Sequence, residues 1–185
     1  MSYISQSLIF EEDKIYFTSN SGEEEQVMMS WEHEIMSGSA SYITQNGGDI
    51  LEIGFGMGIS AGYIQSQSIN SHTICEIHPD IIPKALEWAE NKPNVTIITG
   101  SWYDNLDILS KYDGVFYDTY GDNHSPHFLT SLPQLMNVGG LATWWNTSNP
   151  SENIFGDIEY QEFIINPPEN SYLNLKSYFL PKKQF

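Results

Sequence analysis

The sequence contains no arginine and little positive charge of any kind. Its seven basic residues are all lysines, and they stand against 24 acidic residues in a chain of 185, so the formal net charge is −17. Nucleic acids and anionic membrane surfaces bind clustered basic side chains, and the only adjacent basic pair is Lys182 and Lys183. We therefore expect no nucleic-acid or membrane partner, and instead a neutral or cationic small molecule or a basic protein.

Cysteine and long apolar runs are also scarce. The single cysteine, Cys75, excludes a framework of internal disulfides. No apolar stretch reaches the length of a membrane span, and residues 1–5 lack the basic charge that opens a secretion signal. We expect a cytoplasmic protein. Its length predicts one main domain, and the sequence leaves the oligomeric state open.

From residue 49 onward, strand patterns alternate with helix patterns. Such alternation predicts an α/β fold with a parallel sheet between helices. The final two strand patterns, 159–165 and 172–180, flank two prolines and predict an antiparallel hairpin. The predicted strands before that hairpin are 49–55, 72–77, 95–98, 112–118 and 140–145, and the predicted helices are 58–68, 79–91 and 124–136.

The first 25 residues form a separate polar segment. Apolar triplets at 8–10 and 15–17 flank charged residues and predict a short hairpin. The acidic run 23–25 is expected to lie in the first turn of a helix over 26–45, where carboxylates suit the positive end of the helix dipole. We therefore divide the chain into an N-terminal segment or partial lid, 1–25, and a main domain, 26–185.

A glycine-rich turn joins the first parallel strand to its helix. Residues 52–58 are EIGFGMG, and glycine here lets a ligand approach the backbone beside a helix N-terminus. The dinucleotide fingerprint G-x-G-x-x-G requires a glycine at position 59, which is Ile59. The spacing G-x-G-x-G behind an acidic residue instead resembles motif I of class I S-adenosylmethionine (SAM) methyltransferases. A merely tight turn is the alternative.

Chemically useful side chains follow the next strands. Glu76 lies about 20 residues after Gly54, the interval at which an acid meets ribose hydroxyls in Rossmann-type sites. Trp102 offers a flat face to an adenine, or else packs in the core. Asp118 ends the fourth strand and, with Glu32 upstream, could hold a cation bidentately and accept a proton. Alternatively, Glu32 is one more solvated acid.

Taken in order, these segments resemble the guanidinoacetate N-methyltransferase family, including its relative, the fungal enzyme that methylates the δ-nitrogen of arginine in proteins. The resemblance covers about 26–180. The matching segments are VMMSWE at 27–32 with Met36, GDILEIGFGM at 48–57, Glu76, GSWYD at 100–104, YDGVFYDTY at 112–120, NTS at 146–148 and PP at 167–168.

The resemblance implies a Rossmann-like, seven-stranded, mostly parallel sheet in the order 3-2-1-4-5-7-6, ending in an antiparallel hairpin. It implies SAM as cofactor, S-adenosylhomocysteine as product, and no metal. The catalytic residues it implies are Asp118 as proton acceptor and Glu32. The implied cofactor residues are Met28, Glu52, Gly54, Gly56, Met57, Gly58, Glu76, Ile77, Gly100, Ser101, Trp102 and Asp118, and the implied substrate residues are Glu32, Asp118, Tyr120, Thr147 and Ser148.

Three functions remain open at this stage. Methylation of a small guanidino compound, with guanidinoacetate first, is favoured. The alternative is δ-N-methylation of arginine in a protein, and an alternative of another class is a SAM-binding scaffold or regulator without activity. The segment before Val27 offers little material for a lid, and 146–158 is too short for the helix that separates the last two strands in the family.

Overall fold

The computed structural model describes residues 2–146 and 158–185, which form two β-sheets with four α-helices. The strands are β1 Ile9–Phe10, β2 Lys14–Thr18, β3 Glu24–Met29, β4 Asp49–Ile53, β5 Ser71–Glu76, β6 Val95–Thr99, β7 Tyr112–Tyr117, β8 Met136–Trp144, β9 Glu159–Ile164 and β10 Ser177–Gln184. The helices are α1 His33–Ile43, α2 Ile59–Gln65, α3 Ile82–Ala89 and α4 Ser125–Leu135.

The larger sheet has seven strands in the order β6-β5-β4-β7-β8-β10-β9. The first five run parallel, while β10 pairs antiparallel with both β8 and β9. This order confirms the predicted 3-2-1-4-5-7-6 arrangement. Parallel sheets are buried on both faces, which explains why Ile50 and Leu51, neighbours on the central strand β4, are both fully buried.

Helices cover both faces of this sheet. On one face, Met36 and Ile43 of α1 and Ile64 of α2 pack with Ile50 in a single apolar cluster. On the other face, residues of α4 pack against Leu51 and neighbouring strand residues. The result is the three-layered α/β architecture that strand–helix alternation predicts.

The N-terminal segment forms a second, three-stranded antiparallel sheet, β1-β2-β3. The predicted hairpin is confirmed, because Ile9 lies opposite Tyr16 in the β1–β2 pair. The helix predicted over 26–45 is wrong in its first part: residues up to Met29 belong to β3, and α1 begins only at His33. The strand-forming sequence of β2 supplies hydrogen-bonding partners that the acidic run alone does not reveal.

The C-terminal hairpin is confirmed, with its second strand displaced. β10 covers Ser177–Gln184 rather than 172–180, and residues 165–176 connect it to β9. The strand continues past Pro181 because Lys183 pairs with Ala142 of β8 on its other side. None of the helices within 2–146 and 158–185 has the length and apolar character needed to cross a membrane. The boundary drawn at 25/26 stays a prediction, and β3 spans it.

Candidate active site

A pocket opens at the carboxyl ends of the parallel strands, where α/β sheets bind ligands. It encloses about 640 Å³ of empty space, including the part open to solvent. Ten of the residues predicted from sequence line it together: Met28, Gly54, Gly56, Glu76, Ile77, Gly100, Ser101, Trp102, Asp118 and Tyr120.

The glycine-rich loop lies flush against the rest of the pocket. Gly54 has a φ of 96°, and a Cβ there would overlap the carbonyl oxygen of Asp118. A Cβ at Gly56 would meet the sulfur of Met28. That sulfur also accepts the backbone N–H of Met57 at 3.2 Å. The absence of side chains therefore leaves a cradle that a cofactor can enter.

The last two residues of this loop do not line the pocket. Gly58, with a φ of 73°, is the left-handed residue at the start of α2, and the ring of Phe55 occupies the space its Cβ would need. Met57 packs with the apolar cluster beneath α1. Both residues shape the loop and do not face the pocket.

Glu76 is held rigidly at the end of β5. Its side chain is buried, with Oε2 accepting the backbone N–H of Phe55 at 2.8 Å and Oε1 accepting that of His78 at 2.7 Å. Burial raises the pKa of this carboxyl, while the backbone donors act in the opposite direction. The carboxyl is thus oriented at the pocket wall before any ligand arrives.

Glu52, predicted as a cofactor residue, lies outside the pocket. It is fully buried, its Oε1 accepts the Ser60 hydroxyl, and its Oε2 lies 2.9 Å from Nε2 of His72. Side chains on a strand alternate between faces, so Glu52 points toward the helix layer that covers Ile50. The structure gives it a role in holding α2 against the sheet.

Glu32 and Asp118 come together although 86 positions separate them. The prediction that Glu32 lies on the first helix is wrong. It lies in a 3₁₀ turn, Ser30–Glu32, directly before α1. Its side chain is 2% exposed, so it is not a solvated acid, and its Oε1 accepts the Met29 N–H at 2.8 Å. Asp118 follows β7 and lines the pocket.

Burial and neighbouring charges raise the pKa of both carboxyls, and the charge of Asp118 acts on Glu32. Burial, and secondarily the charge of Asp118, raise the pKa of Glu32 to about 8. Burial, and secondarily the charge of Glu52, raise the pKa of Asp118 to about 7. Two buried like charges favour protonation unless a cation neutralises them. The arrangement therefore provides a site for a cation together with a base that titrates near neutral pH.

Trp102 packs in the core, 2% exposed, and also lines the pocket, while its contact with an adenine stays a prediction. Its indole N–H donates to Oδ2 of Asp122 at 2.8 Å, and the Tyr117 hydroxyl donates to the same oxygen at 2.8 Å. Three aromatic rings meet it edge-on, those of Tyr103, Tyr117 and Phe128. Its orientation is therefore fixed.

Several residues of this site carry no signal in the sequence. Tyr3, from the N-terminal segment, lines the pocket, and its ring lies 5.0 Å from that of Tyr120. Asp122 lines it too, and nothing in its sequence context marks it. Thr147 and Ser148 lie outside the described residues. Within 2–146 and 158–185, no three His, Cys, Asp or Glu side chains gather in a way that could hold a metal.

Solved structures share this architecture. A spermidine synthase from Thermotoga maritima superposes with a TM-score of 0.64 at 12% identity, covering 96% of this chain and 72% of that one. A precorrin-6y C5,15-methyltransferase from Geobacter metallireducens gives 0.63 at 13% identity, covering 80% and 86%. These likenesses concern the fold. The glycine cradle and the oriented strand-end acid fit SAM, and the match of residues 22–156 to a methyltransferase family places the chain in the class of SAM-dependent methyltransferases.

Residues 22–156 match the family described as guanidinoacetate N-methyltransferase, and the chain belongs to this family. Named relatives include "Protein arginine N-methyltransferase 2" of Yarrowia lipolytica, 33% identical over 90% of this chain, and that of Aspergillus fumigatus, 38% identical over 88%. In both cases the match covers 39% of the relative. The chain thus spans about two fifths of the length of these relatives.

Proposed function

We propose that this protein transfers a methyl group from SAM to a guanidino nitrogen, and that its acceptor is an arginine side chain of a protein. The observation that carries the proposal is that Asp118 lines the pocket and that its charge acts on a second carboxyl, the buried Glu32. A guanidinium is a planar cation with five N–H donors, and two carboxylates converging on one site match it. An uncharged amine would leave a buried carboxylate unpaired, which is costly.

The chemistry requires a base, since a protonated guanidinium has no free lone pair. When bound, SAM supplies an electrophilic methyl group on its sulfonium. Asp118, the acid that lines the pocket, orients the guanidinium and accepts its proton, and a pKa of about 7 suits a base working near neutral pH. Glu32 holds the other edge of the group. Much of the catalysis is then positioning.

Some of the cofactor residues predicted from sequence line the pocket, and others do not. Gly54, Gly56 and Gly100 provide close approach to the backbone, while Glu76 offers the remaining lone pairs of an immobilised carboxyl to ribose hydroxyls. Met28 and Trp102 supply apolar walls. Glu52, Met57 and Gly58 do not line the pocket, and we assign them no direct contact with the cofactor.

Two observations favour arginine in a protein over guanidinoacetate. The relatives that match most of this chain carry the name protein arginine N-methyltransferase 2. The net charge of −17 attracts a basic polypeptide more than a zwitterion. Guanidinoacetate is the second candidate, because the family that contains the chain is described by that reaction.

Mass spectrometry of reaction products tests the proposal. The protein is incubated with SAM and, separately, guanidinoacetate, free arginine, an arginine-containing basic peptide, or no acceptor. Methylation of the peptide on its guanidino group supports the proposal, whereas methylation confined to guanidinoacetate would favour the second candidate instead. Absence of product in every arm, with SAM bound, would leave a SAM-binding protein without this activity.

A further inference from the structure

One carboxylate joins two of the loops that border the pocket. Asp122 lies in the loop 118–124, which follows β7, and Trp102 lies in the loop 100–111, which follows β6. Both residues line the pocket. Oδ2 of Asp122 accepts the indole N–H of Trp102 at 2.8 Å, although 20 positions separate the two residues in sequence. The bond therefore links the end of one parallel strand to the end of another, directly at the pocket wall.

The Asp122 carboxylate is itself held on several sides. Oδ2 also accepts the Tyr117 hydroxyl at 2.8 Å, and Oδ1 accepts the backbone N–H of His124 at 2.8 Å. The Ser125 hydroxyl donates to the backbone carbonyl oxygen of Asp122 at 2.8 Å, which fixes the turn that carries it. Burial raises the pKa of the Tyr117 hydroxyl, so this group keeps its proton and remains a donor. Three donors converge on two oxygens, and rotation of the carboxylate would break at least one of these bonds.

Trp102 needs such a partner because an indole nitrogen can only donate. The side chain is 2% exposed, and a buried N–H without an acceptor is costly. The acceptor also sets which way the indole edge turns, and with it the plane of the ring at the pocket. A flat wall binds a flat ligand best when its orientation is fixed before the ligand arrives, since less freedom is then lost on binding.

We propose that Asp122 is a positioning residue for SAM: its carboxylate holds the plane of Trp102 at the pocket wall and fastens the loop after β7 to the loop after β6. The inference rests on SAM as cofactor and on the predicted contact of Trp102 with its adenine, and it does not depend on which acceptor is methylated. Without the carboxylate, the indole N–H has to turn toward another acceptor. SAM affinity is then expected to fall about tenfold, the scale of one buried hydrogen bond.

Calorimetry of SAM binding to two single variants and their double variant tests this role. Asp122→Ala removes the acceptor, and Trp102→Phe keeps an aromatic ring but removes the donor, so each is expected to raise the Kd of SAM about tenfold. The double variant is expected to match the single ones, because both changes remove the same bond. Asp107→Ala, at an exposed position in the same loop as Trp102, is the matched control, expected within twofold of wild type.

Two outcomes of this cycle would overturn the proposal. The first is a Kd within twofold of wild type for Asp122→Ala. The second is a Kd about 100-fold above wild type for the double variant, since two independent effects of about tenfold multiply. If Asp122→Ala does not fold, Trp102→Phe examines the same bond from its donor, and an unchanged SAM affinity in that variant also overturns the proposal.

Nitrogen-15 NMR of the indole groups follows the bond without any need for turnover. The chain has five tryptophans, and the signal that disappears in Trp102→Phe belongs to Trp102. Asp122→Ala is expected to move this signal and to speed its hydrogen exchange with water, whereas Asp107→Ala leaves it in place. An unmoved Trp102 signal refutes the positioning role even if SAM affinity falls. A wild type that shows the expected SAM binding but methylates no acceptor contradicts the proposed function alone.

Discussion

Burying Glu32 costs this protein stability at high pH, and Glu32→Gln is expected to restore it. In the unfolded chain this carboxyl ionises near its ordinary pKa of 4.5, whereas in the folded protein burial and Asp118 raise the value to about 8. Between these values the folded state holds a proton that the unfolded state has released. Stability therefore falls as pH rises from 4.5 to about 8, and it changes little above that.

The size of the effect follows from the two pKa values. With about 1.4 kcal/mol per pH unit, the difference between 4.5 and about 8 amounts to a penalty of about 5 kcal/mol at high pH. At pH 6 the same relation gives about 2 kcal/mol, because the folded carboxyl is still protonated. Glutamine keeps an oxygen for the Met29 N–H and carries no charge at any pH. The stability gained by the variant should thus grow by about 2–3 kcal/mol between pH 6 and pH 9.

Thermal or urea unfolding of wild type and Glu32→Gln at several pH values measures this growth. For a chain of this length it corresponds to a Tm difference that widens by about 5–10 °C. Glu34→Gln, an exposed substitution in the first turn of α1, is the matched control, expected to stay within about 0.5 kcal/mol of wild type. A gap between wild type and Glu32→Gln that does not depend on pH would show that Glu32 is not a buried, protonated acid.

Three further predictions concern activity. Asp118→Asn is expected to lower methyl transfer at least about 100-fold with the Kd of SAM little changed, and normal turnover would remove Asp118 as the base. In wild type, kcat/KM should fall as pH drops below about 8, because first Glu32 and then Asp118 becomes protonated; a profile flat down to pH 5 contradicts this. Glu76→Ala should weaken SAM binding by about 1–3 kcal/mol in calorimetry, and unchanged affinity would assign Glu76 another role.

The parallel part of the fold was predictable because its signals are local and repeated. Strands such as β4 are short, mostly apolar and buried, and their order in the sheet follows from the family resemblance. The N-terminal sheet was harder, since the acidic residues that open β3 resemble a first helical turn. Only the presence of β2 alongside, with Ile15 and Phe17 facing the core, makes this segment a strand. β2 and β3 form one hairpin over 14–29, so the helical pattern assigned to 26–45 leaves out the strand that β3 pairs with.

In the site, too, some residues were predictable from local sequence motifs and others were not. The glycine loop and Glu76 carry fixed spacings, so their place at the pocket could be expected. Glu52 belongs to the same segment as the glycine loop, but because side chains alternate along a strand it points away from the pocket toward His72. Tyr3 had no spacing to reveal it, because the N-terminal segment, far from the motifs in sequence, brings it to the site. Asp122 lies just beyond the matched segment 112–120 and belongs to no motif.

Composition alone could not identify the two acids that matter among 24. Their chemistry arises from burial: an exposed carboxylate is screened and binds a guanidinium weakly, whereas a desolvated one penalises any ligand that leaves it unpaired. Glu32 and Asp118 acquire this property because the turn before α1 and the end of β7 bring them near each other in poorly solvated surroundings. The burial of Glu32 therefore lowers stability and at the same time provides selectivity for a cation. A variant such as Glu32→Gln that gains stability is expected to lose that selectivity.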